Sequence, residues 1–284
     1  MRIEGQRQST NIEDRRGMRM GGPVGIGGGG IGTIIIVLII SWLTGVNPLS
    51  LLNMTGGGPA TAPQESEVPT GTGGDDPQSR FISVVLADME DTWTEVFAKS
   101  GERYQPPVLV LFNEMVQSAC GSASSATGPF YCPGDRKVYL DLSFFRELDQ
   151  NFGAPGDFAQ AYVVAHEVGH HVQNVLGVNA QVSRLQQQAS RADANALSVR
   201  LELQADCYAG VWGHYAARQD MLDPGDVDEG LRAAAAIGDD RLQRQSQGRV
   251  VPESFTHGSS EQRAQWLRQG LSNGRIEDCD TFRK

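Results

Sequence analysis

His166-Glu167-Val168-Gly169-His170 sets two imidazoles four residues apart, with a glutamate beside the first. On an α-helix, residues i and i+4 share a face, so both rings can reach one cation. Glu167 is then placed to take a proton from a water activated by that cation. The plain alternative is a pair of surface histidines on an amphipathic helix, and it weakens once further donors are found. Catalytic zinc usually takes three protein ligands and keeps one position for water. Glu202 follows His170 by 32 residues and offers a carboxylate from a second helix. Asp206, one turn further on, is placed to accept the free ring N–H of a ligand histidine and fix its tautomer. The expected set is therefore His166, His170 and Glu202 around one Zn2+, with Glu167 as base and Asp206 behind a ligand. A solvated acidic stripe would also contain Glu202 and Asp206, but their flanks (Leu201, Leu203, Ala205, Ala209, Gly210, Val211, Trp212) are apolar and small.

The elements that must hold these residues are legible. Phe158, Ala161, Ala165, Val168, Val172 and Val175 recur at threes and fours, predicting a helix. Asp157 is its expected N-cap, with Gln160 as capping-box partner and Gly177 as its stop. The Glu202 helix is predicted over 191–218. Ile82, Val85, Leu86, Met89, Trp93, Val96 and Phe97 predict another over 80–99. Residues 179–188 read as a surface helix, and 225–246 as one more. Ser259 or Ser260 should cap a last helix running to Asn273. Residues 107–112 and 136–142 read as strands, so the class is α+β, mostly helical, with a small sheet. His171 and His214 fall off the ligand faces and read as structural. His257, in a Gly-flanked turn, is a candidate donor to an oxyanion or a locally packed residue, and Tyr131, Tyr139 and Tyr215 are weaker rivals. Asp239 and Asp240 either brace helices or bind a cation.

The chain resembles a family of bacterial neutral zinc metallopeptidases with an N-terminal membrane anchor. The likeness rests on Cys120-Gly121-Ser122, on 128–133 (Gly-Pro-Phe-Tyr-Cys-Pro) and on 137–141 (Lys-Val-Tyr-Leu-Asp). It continues through the zinc motif, 196–207 around Glu202 and Asp206, 238–243, and Phe255-Thr256-His257-Gly258. His-Glu-x-x-His followed by Glu-x-x-x-Asp is the gluzincin pattern. The metzincin pattern is excluded, because Gln173 and Leu176 stand where it needs Gly and His. The resemblance implies a zincin-like fold and a peptidase, with 137–141 as the strand that edges the cleft and pairs with an extended peptide.

A net charge of −10 over 284 residues argues against a nucleic-acid partner. Residues 26–46 carry no charge and are long enough to span a bilayer. Arg2, Arg7, Arg15, Arg16 and Arg19 precede the stretch, and no Lys or Arg follows it up to Asp76. The positive-inside rule then predicts a cytoplasmic tail (1–25), a transmembrane helix (26–46), a disordered Gly/Pro-rich tether (47–78) and a zinc metallopeptidase domain (79–284) outside the cytoplasm. All four cysteines lie beyond the span, in the oxidising space. Three pairings are possible. Cys120–Cys132 is favoured because it closes a short Gly/Ser/Pro-rich loop, and Cys207–Cys279 then follows; a cysteine metal site is the weaker alternative. The expected function is a single-pass, membrane-anchored endopeptidase acting on a peptide or protein. Its rivals are a tethered binding or scaffold domain with a non-catalytic zinc site, and a zinc hydrolase of a non-peptide amide in the cell envelope.

Overall fold

The structure, a computed structural model, describes residues 1–17, 70–71 and 73–283. The expected span at 26–46 and most of the expected tether lie outside the described residues.

Four strands form one sheet in the order β1 (Ile12–Asp14), β2 (Val108–Leu111), β6 (Lys137–Leu140), β5 (Phe130–Cys132). β1, β2 and β6 run parallel, and β5 runs antiparallel to β6. The period of two divides the side chains cleanly. Leu109, Leu111, Val138 and Leu140 face the helical core, whereas Val110, Phe112, Tyr139 and Cys132 build a second, smaller cluster. The hairpin of β3 (Met115–Ser118) and β4 (Gly121–Ser124) adds Val116 to that cluster. The Cys120–Cys132 disulfide ties hairpin to sheet, as expected. The segment proposed as the cleft strand, 137–141, coincides with β6, which is hydrogen-bonded on both sides. It has no free edge for a peptide; the free edge on that side of the sheet belongs to β5.

α1 (Pro77–Lys99) starts at Asp76, whose carboxylate accepts from Ser79 N–H, with proline at the first helical position. Asp76 lies inside the stretch expected to be disordered, so order begins before Ser79. α2 (Phe144–Gln150) leads to α3 (Asp157–Val175), which carries the zinc motif and is buried along most of its circumference. Asp157 is not the cap of α3. Gly156 occupies that position, and the Phe158 N–H is met instead by Glu229, 3.2 Å away on a later helix. α4 (Val178–Gln186) and α5 (Arg191–Arg218) follow as predicted. The single helix expected over 225–246 is two, α6 (Asp226–Ala236) and α7 (Asp239–Gln247), parted at Ile237–Gly238. The break turns Asp239 toward the chain near residue 257. α8 (Ser260–Asn273) begins at Ser259 with a reciprocal capping box to Gln262.

Residues 1–17, expected as part of a cytoplasmic tail, belong to the same compact unit as the helices. β1 is an edge strand of the main sheet. Ile12 is 1% exposed and faces the helical core. The Met1 amino group lies 2.5 Å from Asp157, at the start of α3.

Candidate metal centre

α3 presents His166, Glu167 and His170, and α5 presents Glu202 and Asp206. The two helices touch at Gly169 and Ala205. A Cβ on Gly169 would fall 2.9 Å from the Ala205 carbonyl oxygen and 3.1 Å from its Cα. Only glycine permits that approach, and the approach brings Glu202 onto the histidines. His166 Nε2 lies 3.1 Å from Glu202 Oε2, and His170 Nε2 lies 3.4 Å from Glu202 Oε1. Nitrogen and oxygen ligands of tetrahedral zinc, at about 2.0–2.1 Å from the ion, are about 3.3 Å apart. Both histidine–Glu202 separations match that spacing, and the three donors all lie within 4.8 Å of one another, so the set can hold a zinc ion. No fourth His, Cys, Asp or Glu completes this group among the described residues.

Each ring is held through its other nitrogen. His166 Nδ1 donates to Asp206 Oδ1 at 2.8 Å, and His170 Nδ1 donates to Gln173 Oε1 at 2.9 Å. Both Nε2 atoms are thereby turned toward the centre, where each can offer a lone pair once it carries no proton. Gln173 is itself fixed, donating to the Leu201 carbonyl at 2.7 Å and to Gln204 Oε1 at 3.1 Å. Asp206 is fully buried and receives three further hydrogen bonds: Tyr162 OH at 2.6 Å, Arg263 Nε at 2.9 Å and Arg263 Nη2 at 3.0 Å. Burial alone would push the Asp206 carboxyl up, but Arg263 and His166 together outweigh it and hold the group below the usual carboxylate range. Burial likewise opposes charge on His166, yet Asp206 and Glu202 outweigh it and raise the ring to about 10. A cation among the three donors displaces that proton. Glu167 is buried beside them, and no hydrogen bond to another described residue ties up its carboxylate.

His257 stands in the turn before α8. Asp239 Oδ2 accepts the backbone N–H groups of Thr256, His257 and Gly258 at 2.7, 2.6 and 3.1 Å, and Oδ1 lies 3.4 Å from His257 Nδ1. Asp239 raises the ring's pKa against the pull of burial, and the Glu202 carboxylate adds to the rise. Gly258 lies against Val199 and Leu203 of α5, so the turn flanks Glu202. Asp239 and Asp240 are braces: Asp240 accepts from the N–H and hydroxyl of Ser260. His171 is packed between the Tyr131 hydroxyl and the Gln105 carbonyl, and His214 donates to the Leu271 carbonyl. Tyr131, Tyr139 and Tyr215 are engaged with His171 and Asn174, Asp135, and Lys99 respectively.

The family model described as "Putative neutral zinc metallopeptidase" matches residues 1–282. The chain belongs to this family. It is 49% identical over 291 residues to "Uncharacterized protein YpfJ" of Escherichia coli K12, covering 100% of this chain and 99% of that protein. It is 44% identical over 215 residues to "Uncharacterized protein Rv2575" of Mycobacterium tuberculosis H37Rv, covering 72% of each. No solved structure matches it.

Sequence reasoning missed Tyr162, Gln173 and Arg263. Tyr162 stands one turn before His166, on the ligand stripe. Arg263, Leu267 and Gly270 are the buried positions of α8, spaced as a core face. An arginine on a core face implies a buried anion, and Asp206 was one of the acidic residues already marked for the interior.

Proposed function

We propose that the chain is a zinc-dependent endopeptidase whose zinc is held by His166, His170 and Glu202. The observation that carries this reading is the set of three donors from two helices, all within 4.8 Å of one another, with Glu167 buried beside them and without a hydrogen-bond partner among the described residues. A purely structural zinc site is normally closed by a fourth protein ligand, and the described residues supply none. Zinc bound there supplies Lewis acidity, polarising a substrate carbonyl and making a nearby water acidic enough to attack at neutral pH. Glu167 takes the proton of the attacking water and passes it to the leaving amine. His257, oriented by Asp239, is the candidate donor to the tetrahedral oxyanion. The free edge of β5, which packs on α3 through Tyr131, is where an extended peptide pairs. The two disulfides support a working position in an oxidising space outside the cytoplasm.

The test is hydrolysis of a peptide library by the detergent-solubilised full-length chain, with and without chelator and with zinc restored. Glu167→Gln should lower turnover by about 10²-fold or more while zinc content stays at one per chain. Wild-type turnover in that variant would refute the assigned base, and chelator-insensitive hydrolysis would refute the metal's role.

A further inference from the structure

The amino-terminal arm is built into the domain through groups that need it. Ser83 and Glu90 are buried polar residues on α1. The Ser9 hydroxyl donates to Glu90 Oε1 at 2.6 Å, and the Asn11 side chain donates to the same oxygen at 2.7 Å. Ser83 Oγ donates to the Ser9 carbonyl, and Ser9 N–H donates to the Ser83 carbonyl at 2.9 Å. Glu13 receives Lys137 from β6 at 2.7 Å. Register is fixed by Ile12 opposite Leu109 and Asp14 opposite Leu111. The family match also begins at residue 1.

Four of the five arginines that suggested a cytoplasmic tail have partners here, and Arg19 lies outside the described residues. Arg2 pairs with Asp223, Arg7 with Glu90 and Asp91, Arg15 with Glu13, and Arg16 with Asp14 and Asp76. Such pairs neutralise an acidic domain, a use that explains their presence without any bias from membrane insertion. The chain re-enters the same unit beside the arm: Gly71 and Ile12 exchange backbone hydrogen bonds at 2.8 and 3.1 Å. Both ends of the intervening stretch are thus joined to one folded body. A stretch with its ends on one side crosses a bilayer an even number of times. The uncharged run 26–46 has 21 residues, enough for one crossing and about half of what two would need.

We infer that residues 1–17 and the metal-binding domain lie on the same side of the membrane, with β1 docked in the sheet, so that the amino terminus is not cytoplasmic while the domain lies outside. The side is the oxidising one, given both disulfides.

All four native cysteines are paired, so an introduced cysteine is the sole thiol of the full-length chain. Gln8 on the arm and Gln269 on α8 are both exposed. In spheroplasts, Gln8→Cys and Gln269→Cys should react with a membrane-impermeant maleimide to within about twofold of each other. Gln8→Cys protected until lysis while Gln269→Cys reacts would overturn the inference. A second measurement tests the docking itself. Ile12→Asp places a carboxylate at a buried strand position and should lower the melting temperature of the solubilised full chain by about 5 °C or more. An unchanged melting temperature would mean that the strand is not part of the native sheet, and the inference falls.

Discussion

Arg263→Met is the most exacting test of how the centre is held. The guanidinium is 2% exposed and reaches Asp206 by two charge-assisted hydrogen bonds, at 2.9 and 3.0 Å, while Asp206 is 0% exposed. Methionine keeps most of the volume but leaves a buried carboxylate with two donors, Tyr162 OH and His166 Nδ1–H. Breaking one side of a buried pair costs about 3–5 kcal/mol. In a folded unit of this size that is a fall on the order of 10 °C in melting temperature. The same loss frees Asp206 to turn or take up a proton, so His166 is no longer held with Nε2 toward Glu202. Zinc affinity should drop about 10- to 100-fold. The assay is thermal unfolding in chelator, together with competition for zinc against a chromophoric chelator. The decisive control is the same substitution in Asp206→Asn. With the anion already gone, Arg263→Met should cost less by at least about 1 kcal/mol, a coupling readable from the double-mutant cycle. Equal costs in both backgrounds, or unchanged zinc affinity in the single variant, would show that Arg263 does not act through Asp206.

Gly169→Ala needs α3 and α5 to part by several tenths of an ångström at Ala205, three residues from Glu202; zinc content measured by metal analysis should fall more than helix content by circular dichroism. Loss of the Cys207–Cys279 bridge, which spans 72 residues, should destabilise the fold by about 4 kcal/mol in the chain-entropy model. Because Cys207 adjoins Asp206, Cys207→Ser with Cys279→Ser should also speed zinc release to a chelator, and mass mapping of the wild type should show no free thiol. Asp88 is buried against Trp212, whose indole N–H donates to it at 2.6 Å, and burial pushes its carboxyl up to about 6. A raised folded-state value gives stability that is present in full below about pH 4 and lost as pH rises through 6. Asp88→Asn should remove that slope, so the melting-temperature gap between wild type and variant should move in favour of the wild type on going from pH 7.5 to pH 5.

What the sequence disclosed and what it hid divide along a physical line. The clustering of His166, His170 and Glu202, with Asp206 behind them, was legible because helical spacing is local and both helices carry periodic apolar faces. A cap at Ser259 or Ser260 and the full extent of α5 were legible for the same reason. Arg263 pairs with a residue 57 positions away, a relation no local periodicity records. Gln173 drew notice only as a departure from the metzincin pattern, yet it orients His170. β5 has three residues, too few to show a period, so its neighbour β6 was taken for the cleft strand. The cap of α3 was misplaced because Glu229 supplies it from another helix.

The docking of residues 1–17 into the folded unit has a practical consequence for any test of activity. Counting arginines by flank treats them as unpaired charges whose only role is to resist translocation, whereas Arg2, Arg7, Arg15 and Arg16 each meet a carboxylate in the native fold. A fragment cut at residue 79 would lose β1, leave β2 as a bare edge, and strip Glu90 of its bonds to Ser9, Asn11 and Arg7. It would also remove Asp76, the cap of α1. A buried carboxylate without donors costs several kcal/mol, and unpaired sheet edges invite association between copies. Such a fragment should therefore aggregate or lose zinc whether or not the intact chain is a peptidase, and its inactivity would say nothing about His166, His170 and Glu202. Adding back residues 1–17 joined by a short flexible linker at residue 70 should restore both solubility and zinc retention; failure of that chain to outperform the fragment would mean that β1 contributes nothing to the fold.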